Sequence, residues 1–251
     1  MTLKDFFTLH PKAALAYSGG TDSAFLLYEA LSLGADVKPY LVRSCFQPEF
    51  EFQNALDLSR KLGTEPEIIL ADVLSDAVIC SNPANRCYYC KRVIFSAIAE
   101  KAAEDGYTVL IDGTNASDDL NERPGAKALS ELGVLSPLRE SGLTKPEIRR
   151  LSHEAGLNTW NRPAYSCLAT RVKTGETITR ERLEAVEKSE ESLFSLGFTD
   201  LRVRTSSDTA KLQFPAEQLP AAFEKLDEIK IELSRYFREI SIDPEGRKTS
   251  L

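Results

Sequence analysis

Apolar and polar positions fall in short alternating blocks along the chain. Ala13 to Tyr17 is an apolar run too short for a helix; Ser18-Gly19-Gly20-Thr21-Asp22-Ser23 follows it at once, and Ala24 to Leu33 then has helical composition and stops at Gly34. This order predicts strand, tight turn, helix. The rhythm continues with a strand over Val37 to Val42, a helix over Glu49 to Leu62 closed by Gly63, a strand over Glu67 to Leu70, a helix over Lys91 to Glu104 closed near Gly106, and a strand over Val109 to Ile111. Thr144 and Glu147 have the spacing of a capping box for a helix running to about Ala155, with Gly156 placed to end it. Strands and helices that alternate at these lengths imply a parallel sheet covered by helices on both faces.

The pattern changes after Pro163. Arg180 to Leu196 reads as a charged amphipathic helix, Leu201 to Arg204 and Lys211 to Phe214 as strands, Ala221 to Leu233 as a helix, and Glu239 to Ile242 as a last strand. The predicted class is therefore α/β: a doubly wound, mostly parallel sheet with a smaller C-terminal α/β domain. The boundary falls within 160–178, giving a first domain over residues 1–165 and a second over 166–251.

Composition narrows the class. A chain of 251 residues buries roughly 70–75% of its unfolded surface, so its core needs no staple. No apolar run approaches the ~18 residues of a membrane span, and no basic-then-apolar leader opens the chain, so a cytoplasmic protein with reduced thiols is expected. Five cysteines, an odd number, argue against a fully paired disulfide framework. Of the net charge of −7, residues 1–160 carry −6 and residues 161–251 carry −1. Neither part has the basic excess that grips nucleic acid non-specifically, which leaves room for a local basic pocket that takes a small phosphorylated ligand.

The strand-to-helix junction carries the strongest chemical signal. Gly19 and Gly20 let the backbone turn tightly against a ligand, and the N–H groups that open the next helix point outward, so the turn is suited to an anion. Ser18, Thr21 and Ser23 add hydroxyl donors, and Asp22 is placed either to cap the helix or to hold a magnesium ion shared with phosphates. Without Gly-Lys-Ser/Thr the turn is not a P-loop, and without Gly-x-Gly-x-x-Gly it is not a dinucleotide site. The hexapeptide matches Ser-Gly-Gly-x-Asp-Ser, the pyrophosphate loop of the PP-loop ATP pyrophosphatases, which implies ATP cleavage to AMP and pyrophosphate. A second segment, Asp112 to Asp119, follows a strand and so belongs at the carboxyl edge of the sheet, where Gly113 permits close backbone approach and Asn115 and Asp118 suit ribose, metal or substrate. An Asx-type turn explains those residues equally well.

Cys87-Tyr88-Tyr89-Cys90 is a C-x-x-C pair, and Cys167 stands in Tyr165-Ser166-Cys167-Leu168-Ala169-Thr170-Arg171. Spacing alone leaves a redox pair, part of a zinc site and an iron–sulfur site all open. Cys45 and Cys80 lie outside any motif, and His10 and His153 fit no metal-ligand spacing.

Taken together, the pyrophosphate loop, Asn85-Arg86-Cys87-Tyr88-Tyr89-Cys90-Lys91, Gly113-Thr114-Asn115 leading to Arg123-Pro124-Gly125, Ser136-Pro137-Leu138, Leu143-Thr144-Lys145 and Ser166-Cys167-Leu168-Ala169 resemble the LarE family of ATP-dependent sulfur transferases over nearly the full chain. The resemblance implies conversion of carboxylates of a pyridinium dicarboxylate mononucleotide into thiocarboxylates for a nickel-pincer nucleotide cofactor. One branch of that family consumes a single cysteine, matching Cys167, as the sulfur donor. The presence of Cys87 and Cys90 departs from that branch and resembles a three-cysteine type in which Cys87, Cys90 and Cys167 would ligate a 4Fe-4S cluster with one open iron; a sacrificial Cys167, zinc and a redox pair remain alternatives. Arg202 and Arg204 alternate along one strand and so share a face, and in the family arginines at this position line the site for the substrate's phosphate. Arg171 could reach the same anion, and Tyr88 could stack on the pyridinium ring. The implied requirements are ATP, Mg2+, the cluster, a small phosphorylated nucleotide-like substrate and a homo-oligomeric state. A tRNA thiolation enzyme, an amide-forming PP-loop ligase and a non-enzymatic nucleotide-binding module are the competing readings.

Overall fold

In the computed structural model, which describes residues 1–119 and 124–247, the short apolar run after the first helix forms the strand at the centre of a sheet. Arg123, in one of the motifs above, lies outside the described residues. In chain order the elements are α1 (Leu3–Leu9), β1 (Lys12–Ala16), α2 (Thr21–Ser32), β2 (Asp36–Arg43), α3 (Glu49–Lys61), β3 (Glu67–Leu70), α4 (Ala77–Cys80), α5 (Arg86–Glu104), β4 (Leu110–Ile111), α6 (Pro124–Glu131), α7 (Pro137–Glu140), α8 (Lys145–Glu154), α9 (Arg180–Ser195), β5 (Arg202–Ser206), β6 (Thr209–Gln213), α10 (Leu219–Glu224), α11 (Leu226–Leu233) and β7 (Glu239–Ile242). No helix among the described residues is long and apolar enough to cross a membrane.

The chain divides into two compact units. The first takes residues 1–44, 49–72 and 85–162; the second takes 45–48, 73–84 and 163–251. Two short stretches of the N-terminal half thus belong to the second unit, an exchange that no single break in the sequence pattern could reveal.

The sheet of the first unit is wholly parallel, in the order β3-β2-β1-β4. Period-two alternation decides what each strand residue packs against. Ala13 and Leu15 of β1 and Val37 and Leu41 of β2 join a core with Phe25, Leu26, Phe52, Ala55 and Ile148 from α2, α3 and α8. Ala14 and Tyr40, the residues between them, join a second core with Phe95, Ile98 and Ala102 of α5. Both faces are therefore covered, which is why these strands read as apolar runs. Strand order reverses at β1: β2 and β3 extend to one side and β4 returns on the other. The loops leaving β1 and β4 consequently lie side by side at the switch point where doubly wound sheets bind ligands.

The second unit holds a three-stranded sheet, β5-β6-β7, with β5 antiparallel and β7 parallel to β6. The helix expected over 221–233 is two helices, Leu219–Glu224 and Leu226–Leu233, separated by the single residue Lys225, which caps both.

Candidate active site

The β1–α2 turn is shaped by what Gly19 must avoid. Its φ is +72°, and a Cβ there would stand 2.4 Å from Ala55 Cβ and 2.6 Å from Ala55 Cα on α3. Only glycine meets both conditions. Tyr17, just upstream, donates its hydroxyl to the Ala55 carbonyl at 3.2 Å, which fixes the turn against the same helix; burial pushes this phenol's pKa up. Inside the turn Ser18 N–H donates to Ser23 Oγ at 3.3 Å, and the two hydroxyls lie 3.1 Å apart. Thr21 is buried and donates its hydroxyl to the Thr159 carbonyl at 2.8 Å, so it anchors the start of the helix.

Asp22 does not cap α2. Gly20 is the N-cap residue, and Asp22, already inside the first turn, is ion-paired with Lys145 at 2.7 Å. Its Oδ1 is buried without a hydrogen-bond partner.

Gly113 brings the second predicted segment to this turn. A Cβ on Gly113 would meet Ser23 N at 2.9 Å and Ser23 Cα at 3.2 Å, so the chain after β4 runs directly against the opening of α2. Asp112 fixes that chain by accepting from Thr114 Oγ1 at 2.5 Å and Ser136 Oγ at 2.7 Å. Asn115 is buried, and its Oδ1 accepts from Ser117 N–H at 2.8 Å while its own N–H donates to Asp118 at 3.0 Å. These are the bonds of Asx turns, and they present the segment's backbone beside the loop. Arg139 donates to the Asp118 carbonyl at 2.7 Å, a support the sequence reading missed. Lys145 was seen only as part of a motif; the capping box that starts α8, with Glu147 accepting from the Thr144 hydroxyl and N–H, is what delivers it to Asp22.

The C-x-x-C pair lies on a helix rather than ahead of one. α5 begins at Arg86, five residues earlier than expected, so Cys87 and Cys90 share its first turn, three residues apart on one face. Arg86 is buried, with one guanidinium nitrogen 3.7 Å from Cys87 Sγ. Tyr88 is already engaged: its hydroxyl donates to Glu131 at 2.7 Å, and the cationic heads of Arg92 and Lys127 lie within 5.8 Å of its ring. All five cysteines are thiols. Among the described residues no three His, Cys, Asp or Glu side chains form a metal-binding group.

Cys167 belongs to the second unit, at the N-cap of a 3-10 turn over Leu168–Arg171. Arg171 does not face solvent as an anion ligand would: its side chain is 0% exposed and pairs with Glu190, itself 1% exposed, at 2.9 Å. From there Arg171 donates to the Ser166 carbonyl at 2.8 Å, Ser166 Oγ at 2.7 Å and Thr170 Oγ1 at 3.0 Å, gathering the turn that carries Cys167. Tyr165 donates to Glu190, and its ring lies 4.5 Å from the Arg171 guanidinium and 4.7 Å from that of Arg202. Arg202 is buried and spends its donors on the Leu201 and Ala164 carbonyls at 2.7 and 2.6 Å. Burial, then Arg171 and Arg247 beside it, pull its pKa down to about 10. Arg204, on the same face of β5, is exposed and bonds Gln213 and the Thr170 carbonyl. The predicted arginine group thus exists within one unit, but its members differ: Arg171 and Arg202 are internal, and Arg204 reaches solvent.

No family model matches the chain. It is 34% identical, over 238 residues, to the pyridinium-3,5-bisthiocarboxylic acid mononucleotide synthase of Lactiplantibacillus plantarum, a match spanning 94% of this chain and 86% of the relative. The chain belongs to the LarE family. As a LarE-family protein it is an ATP-using sulfur transferase, and its parallel sheet with the Ser-Gly-Gly-Thr-Asp-Ser turn is the ATP-binding frame of the PP-loop superfamily. The LarE-family chain also matches the uncharacterized protein slr1717 of Synechocystis at 36% identity over 220 residues, spanning 86% of this chain and 81% of that one. It shares 26% identity over 190 residues with the tRNA-specific 2-thiouridylase MnmA of a Thermotoga species, 59% of this chain and 53% of the relative.

Proposed function

We propose that this protein activates a carboxylate of pyridinium-3,5-biscarboxylate mononucleotide with ATP and replaces a carboxylate oxygen by sulfur, in synthesis of a nickel-pincer nucleotide cofactor. The observation that carries the reading is the switch-point turn: Gly19 forced against Ala55 and Gly113 pressed on Ser23 leave backbone N–H groups and the Ser18 and Ser23 hydroxyls around one turn suited to an anion, while the Thr21 hydroxyl anchors the helix to Thr159. A substrate carboxylate oxygen attacks the α-phosphorus, the bond to the β-phosphate oxygen breaks, and pyrophosphate leaves into that turn, where pre-aimed donors meet the developing charge. A sulfur nucleophile then attacks the carbonyl carbon of the acyl-adenylate, AMP departs with the former carboxylate oxygen, and a thiocarboxylate remains. The full domain roles follow: the first unit binds ATP, and the second binds substrate.

Magnesium suits Asp22, whose buried, partnerless Oδ1 is a hard oxygen in need of a cation. Cys87 and Cys90, on one face of a helical turn beside the Arg86 guanidinium, are soft donors that suit an iron–sulfur cluster; that Cys167 would be the third ligand rests on the family resemblance. When bound, such a cluster offers an open iron that carries replaceable sulfide. Arg204 is the solvent-facing contact for the substrate's phosphate; Arg202 and Arg171 stand behind it, and Tyr88 remains the candidate for stacking on the pyridinium ring. Exposed Ile68 and Leu70 on edge strand β3 support a homo-oligomer, and the five thiols support a reducing, cytoplasmic setting.

Anaerobic purification followed by iron and acid-labile sulfide analysis tests the sulfur centre. The cluster reading expects both, lost together in Cys87→Ala, Cys90→Ala and Cys167→Ala. Zinc or no metal contradicts it and favours a consumed Cys167. Cys167→Ala is expected to keep ATP-dependent adenylation and lose sulfur transfer; unimpaired transfer removes Cys167 from the mechanism.

A further inference from the structure

In the first unit, α3 and the segment that follows α8 face one another across a cavity of about 120 Å3. Its walls adjoin the residues that fix the β1–α2 turn: Asn54 precedes Ala55, on which Gly19 packs, and Thr159 is the residue whose carbonyl accepts from Thr21. Asn54, Leu58 and Lys61 recur at the four- and three-residue spacing of one helical face, so α3 brings an amide, an apolar floor and an ammonium to the cavity together. Asn158, Thr159 and Arg162 form the opposite wall, on a main chain that Arg149 of α8 holds by the Trp160 and Arg162 carbonyls.

The polar groups of these walls are largely unspent. Among the described residues the side chains of Asn54, Asn158 and Lys61 make no hydrogen bond or ion pair. Thr159 is 2% exposed, and its hydroxyl is buried with no partner, a state that native structures seldom leave without an occupant. Arg162 faces Glu51 at 3.9 Å, beyond hydrogen-bond length. The cavity has the volume of about four waters, which admits a phosphate-sized ion and excludes a nucleotide.

The donor set selects the ion. An ammonium, a guanidinium, two amides and a hydroxyl approach from both walls, which suits a ligand with acceptors on every side; a tetrahedral oxyanion has them, whereas the two oxygens of a carboxylate lie at one end. The cavity also carries one acid, Asp57, which is exposed and 3.9 Å from Arg60. An ionised carboxylate accepts hydrogen bonds and donates none. It therefore favours hydrogen phosphate, which keeps a proton to give, over sulfate, which has none.

We propose that this cavity binds hydrogen phosphate: Lys61 and Arg162 supply the charge, Asn54, Asn158 and Thr159 donate to its oxygens, and Asp57 accepts from its hydroxyl. Because these groups lie outside the turn that receives pyrophosphate, the site stands whether or not that turn binds ATP.

The test is calorimetric titration of the whole protein with inorganic phosphate at neutral pH, once alone and once with saturating ATP and Mg2+ to fill the turn. Wild type is expected to bind phosphate in both arms, and Lys61→Met about ten-fold more weakly, the loss of one hydrogen bond to a charged group. Sulfate is expected to bind wild type about ten-fold more weakly than phosphate, and Asp57→Asn, whose amide donates, is expected to bring the two ions within about two-fold. Trp160, the one tryptophan of the chain and the neighbour of Thr159, gives a second readout. Its fluorescence is expected to follow phosphate saturably and to need about ten-fold more of it in Lys61→Met. No phosphate binding by wild type, or binding that Lys61→Met leaves unchanged, overturns the proposal. Phosphate binding that ATP abolishes places the ion in the turn and overturns it as well. Equal affinity of wild type for phosphate and sulfate contradicts the assignment to hydrogen phosphate.

Discussion

Removing the charge of Glu190 is expected to cost more than any other conservative change in the second unit. Glu190 is 1% exposed and faces Arg171 at 0%, with Oε1 accepting from Arg171 Nε at 2.9 Å and Oε2 from its NH2 at 3.3 Å. It also accepts from the Val203 N–H at 2.9 Å and from the Tyr165 hydroxyl. In Glu190→Gln an amide oxygen still serves Val203, so the perturbation is the lost charge, which leaves a guanidinium buried without its counter-ion. Breaking a buried pair in this way costs about 3–5 kcal/mol. With a urea slope of about 2 kcal/mol/M, the midpoint falls by roughly 1.5–2.5 M. Urea unfolding followed by circular dichroism reads the shift, and hydrogen exchange at the Val203 amide localises it. The Cys167 turn, which Arg171 gathers, is expected to loosen as well, so that Cys167 alkylates faster in the variant. Replacing both partners, as Arg171→Met with Glu190→Gln, is expected to recover part of the loss, because no buried charge is left without a counter-ion and the amide oxygen still accepts from Val203 N–H. A loss below about 1 kcal/mol in Glu190→Gln, or a double variant no more stable than the single one, refutes the reasoning.

Gly19→Ala is expected to cost about 1–3 kcal/mol of stability from overpacking alone, and to abolish tight ATP binding, since its Cβ falls 2.4 Å from Ala55 Cβ. Gly34→Ala, at φ +75° with nothing within 4 Å, carries only the conformational cost of about 1 kcal/mol and leaves ATP binding intact; equal ATP affinity in the two variants, by titration, contradicts the steric account. Asp105 accepts from Lys38 at 2.6 Å and Tyr40 at 2.8 Å, and these bonds, with Lys101, hold its pKa down from 3.8 to about 2. The unfolded chain therefore binds the proton first, so this contribution is present above pH 3.8 and is lost as pH falls toward 2. Acid titration of Asp105→Asn is expected to show a flatter loss over that window, and an unchanged profile counts against it. Arg204→Gln is expected to raise KM for the phosphorylated substrate and leave the ATP affinity unchanged, whereas a matching loss in both places Arg204 outside the substrate site.

Local chemistry made much of this legible. The strands over 67–70 and 239–242 coincide with a short apolar run and an alternating one, and α8 starts where Thr144 and Glu147 said it would, because those signals act within a few residues. The adjacency of the β1 and β4 loops also followed from alternation, since parallel strands on either side of a switch point bring those loops together. What escaped the reading depends on distant partners. Asp22 looked like a cap because its residue type favours caps, yet Gly20 holds that position and Lys145, 123 residues away, takes the carboxylate. Arg171 looked like an anion ligand until Glu190, 19 residues on, buried it. The start of α5 was placed late because a Cys-Tyr-Tyr-Cys run carries no helix signal of its own; packing of the apolar face of Phe95, Ile98 and Ala102 against the sheet supplies one. Segments 45–48 and 73–84 joined the second unit for the same reason: Leu168 N–H donates to the Phe46 carbonyl at 2.8 Å and Asn82 donates to the Val172 and Lys173 carbonyls, bonds invisible to a local pattern.

The central claim is sulfur transfer to an adenylated carboxylate, and one anaerobic reaction tests it. The purified protein is incubated with ATP, Mg2+, a sulfide source and pyridinium-3,5-biscarboxylate mononucleotide, and the products are followed by mass spectrometry alongside pyrophosphate release. The account predicts a product in which a carboxylate oxygen has been exchanged for sulfur, with one AMP and one pyrophosphate formed for each exchange. Pyrophosphate release without sulfur in the mononucleotide, or sulfur appearing instead in added tRNA, contradicts it.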